Sequence, residues 1–324
     1  MNAASPRSSD AAVTSRFGII GHPLAGTLSP KLFAAAYGGK YAYEPFEGAD
    51  FEAVWKCLAA DASVRAFNVT APFKELAFEK VRRSGGAIDG PAWKIGATNL
   101  IVREEDGSLS AHNSDFSGII LSVAESYFPG LVAQCYQVYG SRGYIKVHQF
   151  VRENLPALFP DKPQALIVGC GGAGKAAAVA AAEMGFETAL MNRTPEKAQH
   201  LAEALPEYQF LPVPFSDFQA SLRECDLVIY TLPEPIPALD ALTADDFAGE
   251  TAGSPAATAR PDKRILEAVY KTPAFTGTLL ARLENGGARY IPGTQWLLYQ
   301  AVTGYGLMTG KPCDIPAMTT AVNL

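Results

Sequence analysis

Ala165-Leu166-Ile167-Val168 runs into Gly169-Cys170-Gly171-Gly172-Ala173-Gly174, and alanines at 176–178 and 180–182 follow. A short apolar run of this kind has the length of a buried strand, and the glycine turn opens onto good helix formers that continue to Met184. Gly185 then stands where a helix C′ glycine is expected. Strand, glycine turn and helix in that order make a site for the pyrophosphate of a dinucleotide. Gly169 allows the tight turn, Gly171 lets backbone approach the phosphates, and Gly174 (or Ala173) lets helix and strand pack closely, with Gly172 inside the same turn. Out of context, the same six residues describe an ordinary tight βα turn.

Downstream, the pattern predicts a strand over Thr188–Met191, a helix around Glu196–Leu205 and a strand over Asp226–Tyr230, which completes a βαβαβ unit. The second strand ends in Asn192-Arg193-Thr194, with Lys197 one turn later and no carboxylate to accept from a ribose 2′-hydroxyl. A guanidinium pairs bidentately with a 2′-phosphate, so this end favours NADP over NAD. The plainer alternative is that Arg193 is a solvated strand-end residue.

Upstream, Phe17–Gly21, Tyr41–Phe46 and Val64–Val69 read as strands, and Phe51–Leu58 carries helical spacing. Alternating strands and helices predict a mainly parallel sheet covered on both faces. The expected fold is therefore α/β. A tail (1–15), read as disordered, precedes a first α/β domain (16–125) that residues 295–324 complete. An inserted helical segment (126–162) follows, and then a doubly wound, Rossmann-type dinucleotide-binding domain (163–294). Within the insertion Val147, Phe150, Val151, Leu155 and Leu158 make an amphipathic helix. Residues 248–262 are poor in bulky side chains and read as a surface loop. Trp296–Thr309 is apolar and helix-like.

Composition narrows the function. The 324 residues are 48% hydrophobic and 19% charged, with a net charge of −6, which disfavours nucleic acid or an anionic membrane as partner. Residues 1–15 lack the apolar stretch of a signal peptide, and no apolar run approaches the ~20 residues that span a bilayer. The five cysteines (Cys57, Cys135, Cys170, Cys225, Cys313) and four histidines are scattered and form no metal-binding or disulfide pattern. The expectation is a cytoplasmic, metal-free protein, monomer or homodimer, acting on a small molecule.

Three segments of the first domain place polar residues where strands should end: Thr27-Leu28-Ser29-Pro30, Asn68-Val69-Thr70-Ala71-Pro72-Phe73-Lys74, and Gly96-Ala97-Thr98-Asn99 with His112-Asn113-Ser114-Asp115. Ligands of α/β sheets bind outside the carboxyl ends of strands, so these loops would line one crevice. Taken alone, Lys74 reads as a solvated lysine at a helix start and Asp115 as an N-cap.

The ordered set nonetheless resembles the shikimate dehydrogenase family from about Phe17 to Gly310. That family's S-x-S-P, N-V-T-x-P-x-K, G-A-x-N-T, N-T-D-x-x-G, G-x-G-G-x-G and N-R-T patterns all have counterparts in this order. The resemblance implies an NADP-linked, reversible reduction of 3-dehydroshikimate to shikimate on the path to aromatic amino acids. It implies that Lys74 and Asp115 form the catalytic pair and that Thr27 and Ser29 hold the substrate carboxylate. Thr70, Asn99 and Gln300 would bind ring hydroxyls, and Tyr270 would approach the carboxylate side. Tyr270 and Gln300 also read as satisfied core residues. Elementary chemistry agrees with the pair: hydride addition to a ketone leaves an alkoxide, which an ammonium both stabilises and protonates.

The chain also departs from the family. Thr27 replaces a serine, Leu100 the threonine after Asn99, and Ser114 the threonine before Asp115. Tyr230-Thr231-Leu232-Pro233 and Pro292-Gly293-Thr294-Gln295-Trp296 replace turns expected beside the nicotinamide, and segment 126–162 lengthens the chain between the two units. A dehydrogenase for quinate or another ring polyol is the nearest alternative, and a non-catalytic metabolite sensor is one of another class. Retention of both Lys74 and Asp115 argues against the sensor.

Overall fold

A computed structural model describes residues 15–248 and 260–323. The expected tail (apart from Ser15) and most of the expected loop at 248–262 lie outside these residues. The chain opens as β1 (Arg16–Gly21), α1 (Ser29–Tyr37), β2 (Ala42–Glu47), α2 (Phe51–Ala60), β3 (Val64–Val69), α3 (Lys74–Arg83), α4 (Gly90–Ile95), β4 (Leu100–Arg103) and β5 (Leu109–His112). The strands form a five-stranded sheet in the order β2-β1-β3-β4-β5.

This sheet is mixed, which corrects the expectation of a mainly parallel one. β1 pairs parallel with β2 and β3, whereas β3–β4 and β4–β5 are antiparallel. For β4–β5 the cause is local: the two strands are joined by a tight turn through Asp106-Gly107, with Gly107 at φ 84° and the Asp106 carboxylate accepting from Ser108 N. A connection that short joins only antiparallel strands. The strand order reverses between β1 and β3, so the loops after these two strands diverge and leave a crevice at their carboxyl ends.

Next come α5 (Ser114–Tyr127), α6 (Leu131–Tyr139) and α7 (Gly143–Asn154). Asn113 caps α5 by accepting from Phe116 N at 3.2 Å, so Asp115 lies in the first turn and is not the N-cap. Residues 114–124 of α5 are all buried, because the helix is covered on several sides rather than along a single stripe. The insertion holds two helices where the sequence pattern showed one. α6 was not foreseen because its apolar residues extend around to an exposed face, where Val138 and Tyr139 stand 65% and 50% exposed.

The second sheet is built from β6 (Gln164–Val168), α8 (Gly172–Glu183), β7 (Glu187–Met191), α9 (Pro195–Ala204), β8 (Leu211–Pro212), α10 (Phe218–Glu224), β9 (Leu227–Tyr230), β10 (Arg264–Glu267), α11 (Gly277–Asn285) and β11 (Arg289–Ile291). Its order is β11-β10-β9-β6-β7-β8 and every pair is parallel. That is the doubly wound dinucleotide-binding topology, with its switch point between β6 and β9.

α12 (Gly293–Thr309) and α13 (Ile315–Ala321) then return to the first sheet. α12 packs along α5, and Gly118 sets the spacing. A Cβ at this position would sit 2.8 Å from Gln300 Cβ, Gln300 N and Trp296 Cδ1. The Gly118→Ala change is expected to push α12 off α5, costing about 1–3 kcal/mol as core overpacking does. Chemical denaturation checks this: a midpoint equal to the wild type would mean that α12 shifts at no cost.

Candidate active site

The loop after β1 carries Thr27, Ser29 opens α1, the loop after β3 carries Thr70, and Lys74 opens α3. Backbone bonds anchor these loops: Thr70 N donates to Ile20 O at 2.9 Å, Val69 N to Asn99 O at 2.8 Å and Thr98 N to Lys74 O at 3.1 Å. All eight candidate substrate and catalytic residues, Thr27, Ser29, Thr70, Lys74, Asn99, Asp115, Tyr270 and Gln300, line one cavity of about 120 Å³. That is well below the ~300–1,000 Å³ typical of pockets for drug-sized ligands, and it suits one small polar ring.

At its floor Lys74 Nζ lies 2.6 Å from Asp115 Oδ2, with the two side chains 23% and 6% exposed. The carboxylate is fixed from its other side, since Asn99 Nδ2 donates to Asp115 Oδ1 at 2.9 Å and to Ser114 Oγ at 3.0 Å. Asn99 Oδ1 accepts from Ser114 N at 2.8 Å, which also fixes which way the amide faces. Trp296 Nε1 donates to Asp115 O at 3.1 Å. The turn that departs from the family pattern thus supplies an indole that braces the helix carrying Asp115.

Further residues of the cavity were not singled out from the sequence. Asn68 lines it and accepts from Tyr43 OH at 2.8 Å, while its Nδ2 donates to Asn99 O at 3.2 Å. Tyr305 lines it and donates to Ser29 O at 3.0 Å. Burial pushes the phenols of Tyr43, Tyr270 and Tyr305 upward, so they remain neutral hydrogen-bonding groups. Two signals were available in the sequence. Asn68 alternates with Ala66 along β3, and Leu297, Gln300, Ala301 and Tyr305 share a helical face.

The cavity continues into a second chamber of about 140 Å³ that shares Lys74, Asp115, Tyr270 and Gln300 and adds Ala173, Ala268, Gly293 and Trp296. Ala173 belongs to the glycine turn, so the chamber joins the polar pocket to the second sheet. Nearby, Lys175 Nζ of α8 meets Glu75 Oε1 of α3 at 2.8 Å, and both line a separate cavity together with Cys170, Gly171 and Lys197.

The glycine turn itself fits a bound dinucleotide. Gly169 has φ 106°, open to glycine at little cost. A Cβ on Gly174 would lie 1.8 Å from Gly169 O. α8 begins at Gly172 with no side-chain cap on its N-terminus, and a Cβ at Gly171 or Gly172 would meet no atom within 4 Å. Uncapped N–H groups at a helix start with an open approach form an anion site. Thr231, in the other unusual turn, braces the glycine turn by donating to Val168 O at 3.0 Å. Asn192 Oδ1 accepts from Cys170 N at 3.0 Å and its Nδ2 donates to Thr194 O at 2.9 Å, so its side chain ties the two loops together. Arg193, Thr194 and Lys197 are exposed at the end of β7 and the start of α9. Among the described residues no group of three or more His, Cys, Asp or Glu is placed to hold a metal, and no helix is long and apolar enough to cross a membrane.

Comparison with known proteins agrees with this geometry. The model of the shikimate dehydrogenase substrate-binding domain matches residues 19–101, and that of shikimate/quinate 5-dehydrogenase matches residues 155–248. The NADP(+) shikimate dehydrogenase of Rubrobacter xylanophilus is 30% identical over 318 residues, 96% of each chain. That of Halobacterium salinarum is 31% identical over 315 residues, 94% of this chain and 97% of the relative. The crystal structure of Thermus thermophilus shikimate 5-dehydrogenase with NADP(H) and shikimate superposes with a TM-score of 0.68 at 26% identity, covering 95% of this chain and 98% of that one. A quinate dehydrogenase from Corynebacterium glutamicum in complex with NAD, 20% identical with a TM-score of 0.70 over 96% and 99% of the two chains, shares the fold. The chain belongs to the shikimate dehydrogenase family.

Proposed function

We propose that the protein is an oxidoreductase that reversibly reduces 3-dehydroshikimate to shikimate with NADPH. The carrying observation is the Lys74–Asp115 pair at 2.6 Å, set where the small polar pocket opens toward the glycine turn. Bound NADPH supplies the hydride; everything else falls to this chain. Lys74 holds a proton at Nζ beside the position of the reacting oxygen, stabilises the alkoxide and protonates it. Asp115, held by Asn99, orients the ammonium and accepts from a neighbouring hydroxyl. Thr27 and Ser29 offer hydroxyls for the substrate carboxylate, with Tyr270 nearby, and Thr70, Asn99 and Gln300 take the ring hydroxyls. Trp296 and Leu297 keep water from the hydride path.

In this reading residues 16–125 with 295–324 form the substrate unit, 163–294 the cofactor unit and 126–162 an insertion packed on α5. Gly169, Gly171, Gly172, Ala173 and Gly174 hold the pyrophosphate. Asn192, Arg193, Thr194 and Lys197 hold the adenosine end, and the absence of a carboxylate there supports NADP.

Absorbance at 340 nm, read with shikimate or quinate and with NADP or NAD, tests the whole reading. Turnover confined to shikimate with NADP is expected, whereas a faster rate with quinate would reassign the substrate. Arg193→Ala is expected to raise the KM for NADP by ~10–100-fold, the loss of one charge-assisted phosphate contact, with little change for NAD. Equal effects on both cofactors would remove Arg193 from the 2′-phosphate.

A further inference from the structure

A cavity of about 440 Å³ lies apart from the catalytic pocket, where α7 of the insertion crosses α5 and α8. Its floor is apolar, made by Phe116 and Ile120 of α5, by Val179 of α8 and by Met184 just after that helix. Its mouth carries both charges. Arg152 and Glu153 come from consecutive positions of α7, and Lys94 faces them from α4. Glu183 is already engaged, since it accepts from Lys94 at 2.7 Å, from Tyr208 at 2.7 Å and from Arg152. Arg152 commits one nitrogen to that bond, and since a guanidinium has five N–H donors it keeps others to offer. Glu153 accepts from Gln149 at 3.1 Å through one oxygen and keeps the other.

The wall carries a second signal. His148 lines the cavity, wedged edge-on between the rings of Phe116 and Tyr144 at 5.5 and 5.7 Å. Its Nε2 is buried and has no hydrogen-bond partner among the described residues. Burial, and then the charge of Arg152, lowers its pKa to about 4, so the ring is neutral at physiological pH. Buried polar atoms without partners are rare in native proteins, so this one, in a cavity wall, calls for an explanation.

We infer that this cavity is a second small-molecule site, for a zwitterionic α-amino acid with an apolar side chain. Its carboxylate pairs with Arg152, its ammonium with Glu153, and its side chain lies on the floor beside His148. The lining sums to zero formal charge, two cations against two carboxylates, which matches a zwitterion better than an acid or an amine. The floor is shared by two helices that begin at the chemistry: Phe116 follows Asp115 in α5, and α8 begins at the glycine turn. Occupancy therefore bears on both helices whose first turns form the reaction centre.

Calorimetry on the full chain in saturating shikimate without cofactor tests this, and it reads heat rather than turnover. L-Phenylalanine is expected to bind, and 3-phenylpropionate and 2-phenylethylamine at least ~10-fold more weakly, each lacking one charge-assisted contact. Gln149→Trp at the mouth is expected to abolish binding and Arg152→Gln to weaken it ~10-fold or more. Both are surface positions of α7, so kcat and KM without amino acid should match the wild type. Absence of heat with wild-type protein, or equal binding by both variants, overturns the site. 3-Phenylpropionate binding as tightly as phenylalanine overturns the zwitterion.

Discussion

Replacing Lys74 with alanine is expected to lower kcat by ~10²-fold or more, the scale on which general acid–base catalysis is lost, with the Kd for NADP within about two-fold of wild type. The separation follows from position. Lys74 shares its chamber with only one residue of the glycine turn, Ala173, and reaches neither Arg193 nor Lys197. Two consequences distinguish loss of a proton donor from general damage. Asp115 is 4% exposed and loses its only cation among the described residues, so the variant should also be less stable. Lys74→Ala combined with Asp115→Asn should be little worse in kcat than either change alone, since the two act as a unit. Stopped-flow absorbance at 340 nm gives kcat and fluorescence titration gives cofactor affinity. An unchanged kcat would withdraw Lys74 from proton transfer; multiplicative losses in the double variant would separate the pair.

Gly174→Val is expected to abolish cofactor binding and to lower the Tm by roughly 5–10 °C, a loss of about 2 kcal/mol or more from overpacking. A first Cβ would already lie 1.8 Å from Gly169 O and 2.6 Å from Gly169 C, and both are backbone atoms of the turn that must meet the pyrophosphate. Rotamer changes cannot relieve that contact. Either α8 moves away from β6 or the turn opens, and each displaces the N–H groups of the anion site. Thermal unfolding with and without NADP measures both effects. Wild type should be stabilised by the cofactor and the variant should not be. A variant still stabilised by NADP would show that the turn tolerates the displacement.

The sequence was most readable where one residue has one physical use. The run into Gly169 marked a buried strand, a turn and a helix start together, and the Val64–Val69 strand was read to the residue. The substrate loops were legible because polar residues at strand ends have few reasons to be there. Elements whose residues carry contrary signals were lost. β10 is flanked by Arg264 and Glu267, which look like surface residues, yet they are 5% and 0% exposed. Glu267 is held there by Tyr290 OH at 2.6 Å and Ala274 N at 2.5 Å, partners that only tertiary structure brings near. β8 is two residues long and ends in proline. The β4–β5 hairpin did carry a local sign, Asp106-Gly107, which outweighs alternation as evidence for pairing. Tyr305 escaped notice because it is polar on one atom and packed on the rest, and Asn68, within a segment already marked, because it falls inside β3 and not in the loop.

The return of α12 to the first sheet has a consequence for how the protein comes into being. Leu297, Gln300, Ala301 and Tyr305 form one wall of the polar cavity and follow every other residue that lines it in the sequence. A growing chain carries the Lys74–Asp115 pair and the glycine turn before it has this wall. Tyr305 bonds Ser29 across 276 positions of sequence, and contacts that distant form late and slowly. Until α12 has emerged, the nascent protein can hold Lys74 beside an open groove but lacks the wall that closes it. Synthesis through α12, and not merely folding of what precedes it, is what encloses the pocket.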